Sequence, residues 1–245
     1  MTNQAELYAN VSTGQFQCGL ELIDMASPKP GDHVLDIGSG TGGLTFRLAD
    51  RINPLGSLYA IEPDAQRLEV AKNNQPSNLK NISWHNGPLE SFIAPSTGIF
   101  DIAFSNYVFH WIKDPVSAIK EVYNNLAHGG RFAFCCVCGM PQVIVDLCES
   151  VGEDGKKITD SLYFNTKQDW ISYFERAGFT IMITNEVPDY HFQDIDDVMT
   201  WWEATTHGLF SINKLSTVRL EHIRKKYPGD INIYRKETLR LLAKK

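Results

Sequence analysis

The sequence of 245 residues lacks a surplus of positive charge. It carries 23 lysines and arginines against 29 acidic residues, which gives a formal net charge of −6. Proteins that bind nucleic acid usually need an excess of basic side chains to neutralise phosphates. The composition therefore favours a small-molecule ligand over DNA or RNA, and we interpret the basic run Arg224–Lys226 as a solvated helix end.

The sequence also lacks long apolar runs and a regular set of cysteines. No stretch approaches the roughly 20 apolar residues of a membrane-spanning helix. The segment from Met1 to Glu6 shows no basic residues followed by an apolar run, so no secretory signal is predicted. The five cysteines are odd in number and three lie within residues 135–138, unlike a disulfide framework. We expect a cytoplasmic protein without membrane association.

Cys135 and Cys138 form a Cys-x-x-Cys, a spacing that also occurs in zinc and redox sites. Cys135 lies in the apolar run 131–137, which is predicted to be a buried strand, and Cys138 follows directly after it. Residues three apart on a strand point to opposite faces. Because no second Cys-x-x-Cys completes a zinc site, the cysteines are interpreted as core residues and no metal is predicted.

Short apolar runs alternate with amphipathic stretches through the first half of the chain. The pattern predicts strands at 33–37, 56–61, 82–84, 101–104 and 131–137, with helices at 42–51, 64–73 and 115–126. This alternation is typical of a parallel, doubly wound α/β sheet. Such sheets bind ligands beyond the carboxyl ends of their strands, beside the first strand.

The second half is less regular. Helices are predicted at 141–153, 167–177, 194–206 and 213–227, and strands at 179–184 and 237–243 extend the sheet. A hydrophobic content of 43% is enough for one domain spanning 1–245. Within it we expect a core at about 30–140 and a helical cap formed by 1–28 and about 190–230.

A glycine-rich loop follows the first predicted strand. Gly38-Ser-Gly-Thr-Gly-Gly43 satisfies G-x-G-x-x-G, which fits nicotinamide and flavin folds as well. Asp36 discriminates between the ligands, because a carboxylate here would repel a pyrophosphate on the helix N-terminus. S-adenosylmethionine (SAM) carries an ammonium and a sulfonium instead. Glu62 ends the second strand, where it can accept the ribose hydroxyls or simply precede a helix.

These residues resemble a known family. Val34-Leu-Asp-Ile-Gly-Ser-Gly-Thr-Gly42 with Glu62 is similar to motif I of the class I SAM-dependent methyltransferases, and Phe100-Asp-Ile-Ala-Phe-Ser-Asn-Tyr-Val-Phe-His-Trp111 with His128-Gly-Gly130 is similar to later motifs. The resemblance implies a seven-stranded, Rossmann-like sheet whose last strand is antiparallel. One departure is Pro88, which stands where the family often has an adenine-binding Asp.

The resemblance also implies SAM as cofactor and a set of contacts at the strand ends. The implied cofactor-binding residues are Asp36, Gly38, Ser39, Gly40, Gly42, Glu62, Pro63, Asn86, Leu89 and Ser105.

The methyl acceptor is suggested by a narrower resemblance. Glu6-Leu-Tyr8, Gln15 and His110-Trp111 are similar to the juvenile hormone acid and trans-aconitate methyltransferases, which methylate carboxylates of small molecules. By this resemblance Gln15 and Trp111 line the acceptor pocket and hold the carboxylate. The alternative is that Gln15 is a surface helix residue and Trp111 a core residue. His110 is a further candidate for positioning the acceptor. Phe210 stands where trans-aconitate enzymes have an arginine, which favours an apolar acid.

Seven aromatic side chains are candidates for lining an apolar acceptor pocket: Tyr8, Phe16, Tyr107, Phe109, Trp201, Trp202 and Phe210. A carboxylate with a pKa near ~4 is already ionised at neutral pH, so no catalytic base is required. Methylation of an amine or phenol, with His110 or His207 as base, stays open, as does a non-catalytic SAM-binding role. The oligomeric state is not predicted.

Overall fold

A computed structural model describes residues 11–53, 55–94, 99–185, 187, 190–206, 208–233 and 238–245. Its strands, in chain order, are β1 (His33–Ile37), β2 (Ser57–Glu62), β3 (Ile82–Asn86), β4 (Phe100–Asn106), β5 (Leu126–Val137), β6 (Thr180–Asn185), β7 (Tyr190–Phe192), β8 (Ile231–Ile233) and β9 (Thr238–Lys244). Its α-helices are α1 (Thr13–Ala26), α2 (Gly43–Ile52), α3 (Ala65–Asn73), α4 (Pro115–Asn125), α5 (Gln142–Ser150), α6 (Glu153–Asp160), α7 (Lys167–Ala177), α8 (Ile195–Thr205) and α9 (Thr217–Lys226).

The main sheet has seven strands in the order β3-β2-β1-β4-β5-β9-β6. Neighbours from β3 to β5 pair in parallel, whereas β9 pairs antiparallel with both β5 and β6. The predicted fold, a doubly wound α/β sheet with an antiparallel last strand, is confirmed. The strand order reverses between β1 and β4, so the ends of these two strands form the crevice where such sheets bind ligands.

Both faces of the sheet are covered, as its near-continuous apolar strands require. On β1, Val34 packs with α1 and α2, while Leu35 and Ile37 pack on the opposite face with α4 and α7. All three are at most 2% exposed. Cys135 and Cys136 of β5 are fully buried on opposite faces, and Cys138 packs on the same side as Cys136.

Local capping fixes where the helices next to the crevice begin. Asp64 accepts hydrogen bonds from the amides of Gln66 (2.8 Å) and Arg67 (3.1 Å) at the start of α3. At α4, the Asp114 side chain accepts from the Ser117 amide, and Pro115 occupies the first helical turn. Both arrangements satisfy amides that have no partner within the helix.

Several helices and a short strand pack together outside the main sheet, and we call this part of the structure the cap. A third hydrophobic cluster joins α5, α6, α8 and α9 with β8, and its centre includes Leu147, Val198 and Phe210. The small sheet of β7 and β8 was not predicted. α1 packs against β4 and β5, so only its first turn lies near the cap.

Three predicted elements need correction. The helix expected at 141–153 ends at Ser150 because Gly152 adopts φ +62°, and a second helix, α6, follows. In place of the helix expected at 213–227, the chain forms a 3₁₀ turn at Ile212–Lys214 and then α9. The Ser216 side chain accepts a hydrogen bond from the Arg219 amide and so starts α9 at Thr217. β5 begins at Leu126, five residues earlier than predicted, with a register shift opposite Phe100–Ile102.

Within the described part of the chain, no helix combines the length and apolar character needed to cross a membrane.

Candidate cofactor and acceptor site

The glycine-rich loop closes against the end of β2. The amides of Gly38 and Ser39 donate to the carbonyl oxygen of Ile61 at 2.9 and 3.0 Å, and the Gly42 amide donates to the Ser39 carbonyl at 3.0 Å. Gly38 has φ +76°, and a Cβ there would lie 2.2 Å from Cγ2 of Val108. A side chain at this position is therefore excluded by both backbone conformation and space.

Asp36 is a buried carboxyl directly before the loop. It is 2% exposed and accepts a hydrogen bond from the Thr45 hydroxyl at 2.7 Å. Burial raises the pKa of Asp36 to about 7, the Thr45 hydrogen bond opposes this rise, and the negative charge of Glu62 adds to it. Among the described side chains, the hydrogen-bond partner of Asp36 is the Thr45 hydroxyl, and no cationic side chain pairs with it. The site therefore suits an ammonium supplied by a ligand.

Glu62 lies across the loop from Asp36. Its Oε2 accepts from the Gly40 amide at 2.7 Å, and its Oε1 accepts from the Asp64 amide at 2.9 Å. Burial raises the pKa of Glu62, and these two backbone amides partly offset that effect. The carboxylate is thereby held at the mouth of the crevice, in a position compatible with the predicted ribose contact.

The other predicted cofactor residues gather around the same strand ends, and two of them bond to the backbone. Asn86 donates to the carbonyls of Glu62 (2.9 Å) and Pro63 (3.2 Å). Ser105 is fully buried and donates to the Ile37 carbonyl at 3.3 Å. Leu89 is buried and begins a 3₁₀ turn directly after Pro88.

Ser39 differs from these residues. Its Oγ is buried and has no hydrogen-bond partner among the described residues. A buried hydroxyl without a partner is costly. The Ser39 hydroxyl has no hydrogen-bond partner and the Asp36 carboxyl has no cationic partner among the described residues. Together they fit a ligand that offers both an ammonium and hydrogen-bonding groups, as SAM does.

A cavity of about 740 Å³ lies between the strand ends and the cap. All three predicted acceptor-positioning residues, Gln15, His110 and Trp111, line it. Of the predicted aromatic wall, Tyr107, Trp201 and Trp202 also line it. The cap adds mainly apolar side chains, among them Met140, Val143, Ile144, Leu162, Phe164, Ile231 and Ile233.

Some predicted pocket residues lie elsewhere. Phe109 and Phe210 are fully buried, the first under the sheet and the second inside the cap. Phe16 packs near Gly43 and does not line the cavity. Tyr8 and His207 are outside the described residues.

His110 is 7% exposed, and burial lowers the pKa of its imidazole to about 3. Its ring lies nearly parallel to that of Phe164, with centroids 6.4 Å apart, and Nδ1 is 3.6 Å from the Cys136 sulfur. The imidazole is therefore neutral at physiological pH.

Sequence reasoning missed one residue of the site, and the backbone angle of another. Arg67 lines the cavity and donates to the carbonyls of Ala204 (3.1 Å) and Thr205 (3.4 Å) at the end of α8. Tyr107 follows β4 with φ +61°, a conformation that non-glycine residues rarely adopt and that clusters at functional sites. Neither the partner of Arg67, nearly 140 residues away, nor the backbone angle of Tyr107 has a local sequence signal.

Comparison with known proteins agrees with this geometry. A family model described as a methyltransferase domain matches residues 28–178. The chain is 28% identical over 186 residues to an arsenite methyltransferase from Aquipseudomonas alcaligenes. The match covers 72% of this chain and 51% of the arsenite methyltransferase, so this chain spans about half the length of that relative.

Two further likenesses extend over most of the chain. A malonyl-[acyl-carrier protein] O-methyltransferase from Ilyobacter polytropus is 25% identical over 232 residues, which is 94% of this chain and 82% of that protein. The crystal structure of a SAM-dependent methyltransferase from Aquifex aeolicus superimposes with a TM-score of 0.60 at 15% identity, over 100% of this chain and 99% of that one. The family match covers more than half of the chain, and the chain therefore belongs to the methyltransferase-domain family.

Proposed function

We propose that this methyltransferase transfers the methyl group of SAM to a carboxylate oxygen of a small apolar acid. The observation that carries the proposal is the cavity itself, which joins an apolar, aromatic-rich wall to a few polar side chains next to the crevice. A volume of about 740 Å³ falls within the range of small-molecule sites.

On the cofactor side, the proposal assigns the ammonium of SAM to Asp36 and its ribose hydroxyls to Glu62. Gly38, Ser39, Gly40 and Gly42 form the loop, and Asn86 with Ser105 holds the surrounding backbone in place. When bound, SAM supplies an electrophilic methyl group on a sulfonium. The protein's task is then to align the acceptor oxygen with that methyl group and to exclude water.

On the acceptor side, the neutral state of His110 separates the candidate reactions. An amine or phenol must lose a proton during methylation and benefits from a base with a pKa near neutrality. His110, with its pKa lowered to about 3 by burial, is too weak a base for that role. A carboxylate arrives ionised, so a neutral imidazole that orients it is sufficient.

The likeness to an arsenite methyltransferase raises a second acceptor class, but the thiols do not support it. A thiophilic centre such as arsenic(III) requires thiolate ligands. None of the described residues that line the cavity is a cysteine, so the cavity presents no thiol to such a centre. The O-methyltransferase relative, by contrast, fits the carboxylate proposal.

The test is a turnover assay with acceptors that share a carbon skeleton and differ only in the reacting group: acid, primary amine and phenol. Release of S-adenosylhomocysteine is measured for each acceptor. At saturating SAM, where titration of Asp36 in the ligand-free protein does not limit binding, we expect turnover of apolar acids with a rate that stays level from pH 6 to pH 8, because neither the acceptor nor His110 titrates there. Turnover restricted to the amines or phenols would overturn the proposal.

A further inference from the structure

We infer that Trp201 is a positioning residue that sets the acceptor specificity, because its indole N–H fixes the orientation of the Gln15 amide. The inference rests on the proposed carboxylate acceptor and extends it to a residue of the cap. Trp201 Nε1 donates to Gln15 Oε1 at 3.2 Å, and both residues line the 740 Å³ cavity although they are 186 positions apart.

Gln15 is held from two sides. Its backbone carbonyl accepts a hydrogen bond from Asn106 Nδ2 at 3.0 Å, which ties the first turn of α1 to the end of β4. Its side chain is held by Trp201 of α8, which belongs to the cap. Gln15 is only 7% exposed, so its amide has little freedom to change partners.

Trp201 is itself fixed by aromatic neighbours. Its ring centroid lies 5.9 Å from that of Tyr190 and 5.6 Å from that of Phe192, the two aromatic residues of β7. Tyr190 in turn covers Gly14, where a Cβ would lie 1.5 Å from the Tyr190 ring. The three side chains Gln15, Tyr190 and Trp201 border both the main cavity and a second one of about 470 Å³, and so form the partition between them.

The chemistry of the hydrogen bond determines what the amide offers to the cavity. An indole N–H can only donate, so the atom it meets on Gln15 must be the carbonyl oxygen. The remaining polar atom of the side chain is Nε2, which carries two N–H groups and no acceptor. The Gln15 amide is therefore fixed as a donor for the methyl acceptor.

A fixed donor discriminates between acceptor classes. A carboxylate can accept a hydrogen bond from the Gln15 N–H, and such charge-assisted hydrogen bonds are stronger than those between neutral groups. An ammonium has no acceptor, so it would bring a donor against a donor and leave buried polar groups unpaired, which is the costly arrangement. A neutral phenol oxygen can accept the N–H, but without the gain from a charged acceptor. The partition thus favours an oxyanion at the position where methyl transfer takes place.

The decisive experiment compares two cavity variants with a matched control. Trp201→Phe keeps a ring but removes the N–H, and releases the Gln15 amide. Gln15→Glu keeps an oxygen for Trp201 and replaces the two donors with a negative charge. Trp84→Phe is the control, because Trp84 Nε1 donates to Gln75 Oε1 at 2.8 Å in another Trp–Gln pair that does not border the cavity.

We measure kcat/KM for an apolar acid and for an amine with the same skeleton, together with the Kd of SAM. For Trp201→Phe we expect kcat/KM for the acid to fall about tenfold, the loss of one oriented hydrogen bond, while the Kd of SAM is unchanged. For Gln15→Glu we expect about a hundredfold loss with the acid and a smaller loss with the amine. Trp84→Phe should leave the acid-to-amine ratio unchanged.

An unchanged acid-to-amine ratio in both cavity variants would overturn the inference. A wild-type enzyme that does not methylate acids at all would instead overturn the proposed function. The two failures are therefore distinguishable within one set of measurements.

Discussion

Replacing Asp36 with Asn should stabilise the ligand-free protein at alkaline pH and weaken its binding of SAM. The carboxyl is 2% exposed, and its hydrogen-bond partner among the described residues is the Thr45 hydroxyl. An ionised carboxylate without a cation is costly in such a place. Asn keeps an oxygen for Thr45 and carries no charge, so the substitution isolates the charge.

The magnitude follows from the pKa of Asp36, which burial raises from 3.8 to about 7. Between these two values the folded state binds more protons than the unfolded state, so the free energy of unfolding falls as the pH rises through this window. Above pH 7 the cost is complete and amounts to at most about 4 kcal/mol, since each pKa unit corresponds to about 1.4 kcal/mol. Asp36→Asn removes this cost at pH 8 and has little effect near pH 4.

The assay is urea unfolding of the ligand-free protein at pH 5 and pH 8, with SAM titration calorimetry at the same pH values. Asp114→Asn is the control, because Asp114 is an exposed helix cap whose pKa is lowered by its hydrogen bonds with Ser117, and Asn caps equally well. At pH 8 we expect SAM affinity to fall by about tenfold to a hundredfold, the range for a hydrogen bond with a charged partner. A variant that is less stable than the wild type at pH 8 would refute the reasoning about the buried charge.

Two further substitutions test the loop and the contact between crevice and cap. Gly38→Ala should destabilise the fold by about 2 kcal/mol or more in urea unfolding, because it combines a strained φ with a clash against Val108. Gly229→Ala is the control: Gly229 has φ +72° and no atom within 4 Å of an added Cβ, so this substitution should show the cost of the strained φ alone. Equal losses of stability in the two variants would contradict the steric argument. Arg67→Met should raise the KM of the acceptor about fivefold, because it removes the donors to the end of α8. The exposed Arg47→Met is the control and should leave KM unchanged. An unchanged KM in Arg67→Met as well would show that the contact does not position the cap.

The cofactor side could be predicted as a set from the sequence because its candidate residues are close together in the chain. Asp36, the loop glycines and Glu62 lie within two strands and their ends, where backbone geometry and the ligand's charges restrict the choice of residues. The helix beginning at Ala65 was predictable for the same reason, since Asp64 caps the amides directly after it. These signals act over a few residues and need no knowledge of the remaining chain.

The corrections fall where a local signal has more than one outcome. Val143, Ile144 and Leu147 repeat at helical spacing, and they do form a helix. No local signal indicates that Gly152 adopts a positive φ and that a second helix begins after it. Phe210 is apolar and near a predicted pocket segment, yet it is fully buried in the cap. Apolar periodicity shows that a face is covered and does not show which surface covers it.

The acceptor side depends on pairs that only tertiary structure can bring together. Gln15 and Trp201 come from opposite ends of the chain, and either side chain alone allows several roles: a glutamine can donate or accept, and a tryptophan can be core or wall. Their hydrogen bond removes that freedom. The indole N–H can only donate, so it engages the carbonyl oxygen of Gln15 and leaves the two N–H groups of the amide for the methyl acceptor. Under the proposed function, acceptor specificity is therefore a property of the contact between the cap and the first helix. It follows that exchanging cap residues around β7 and α8 should change which acceptor is methylated while the affinity for SAM stays the same.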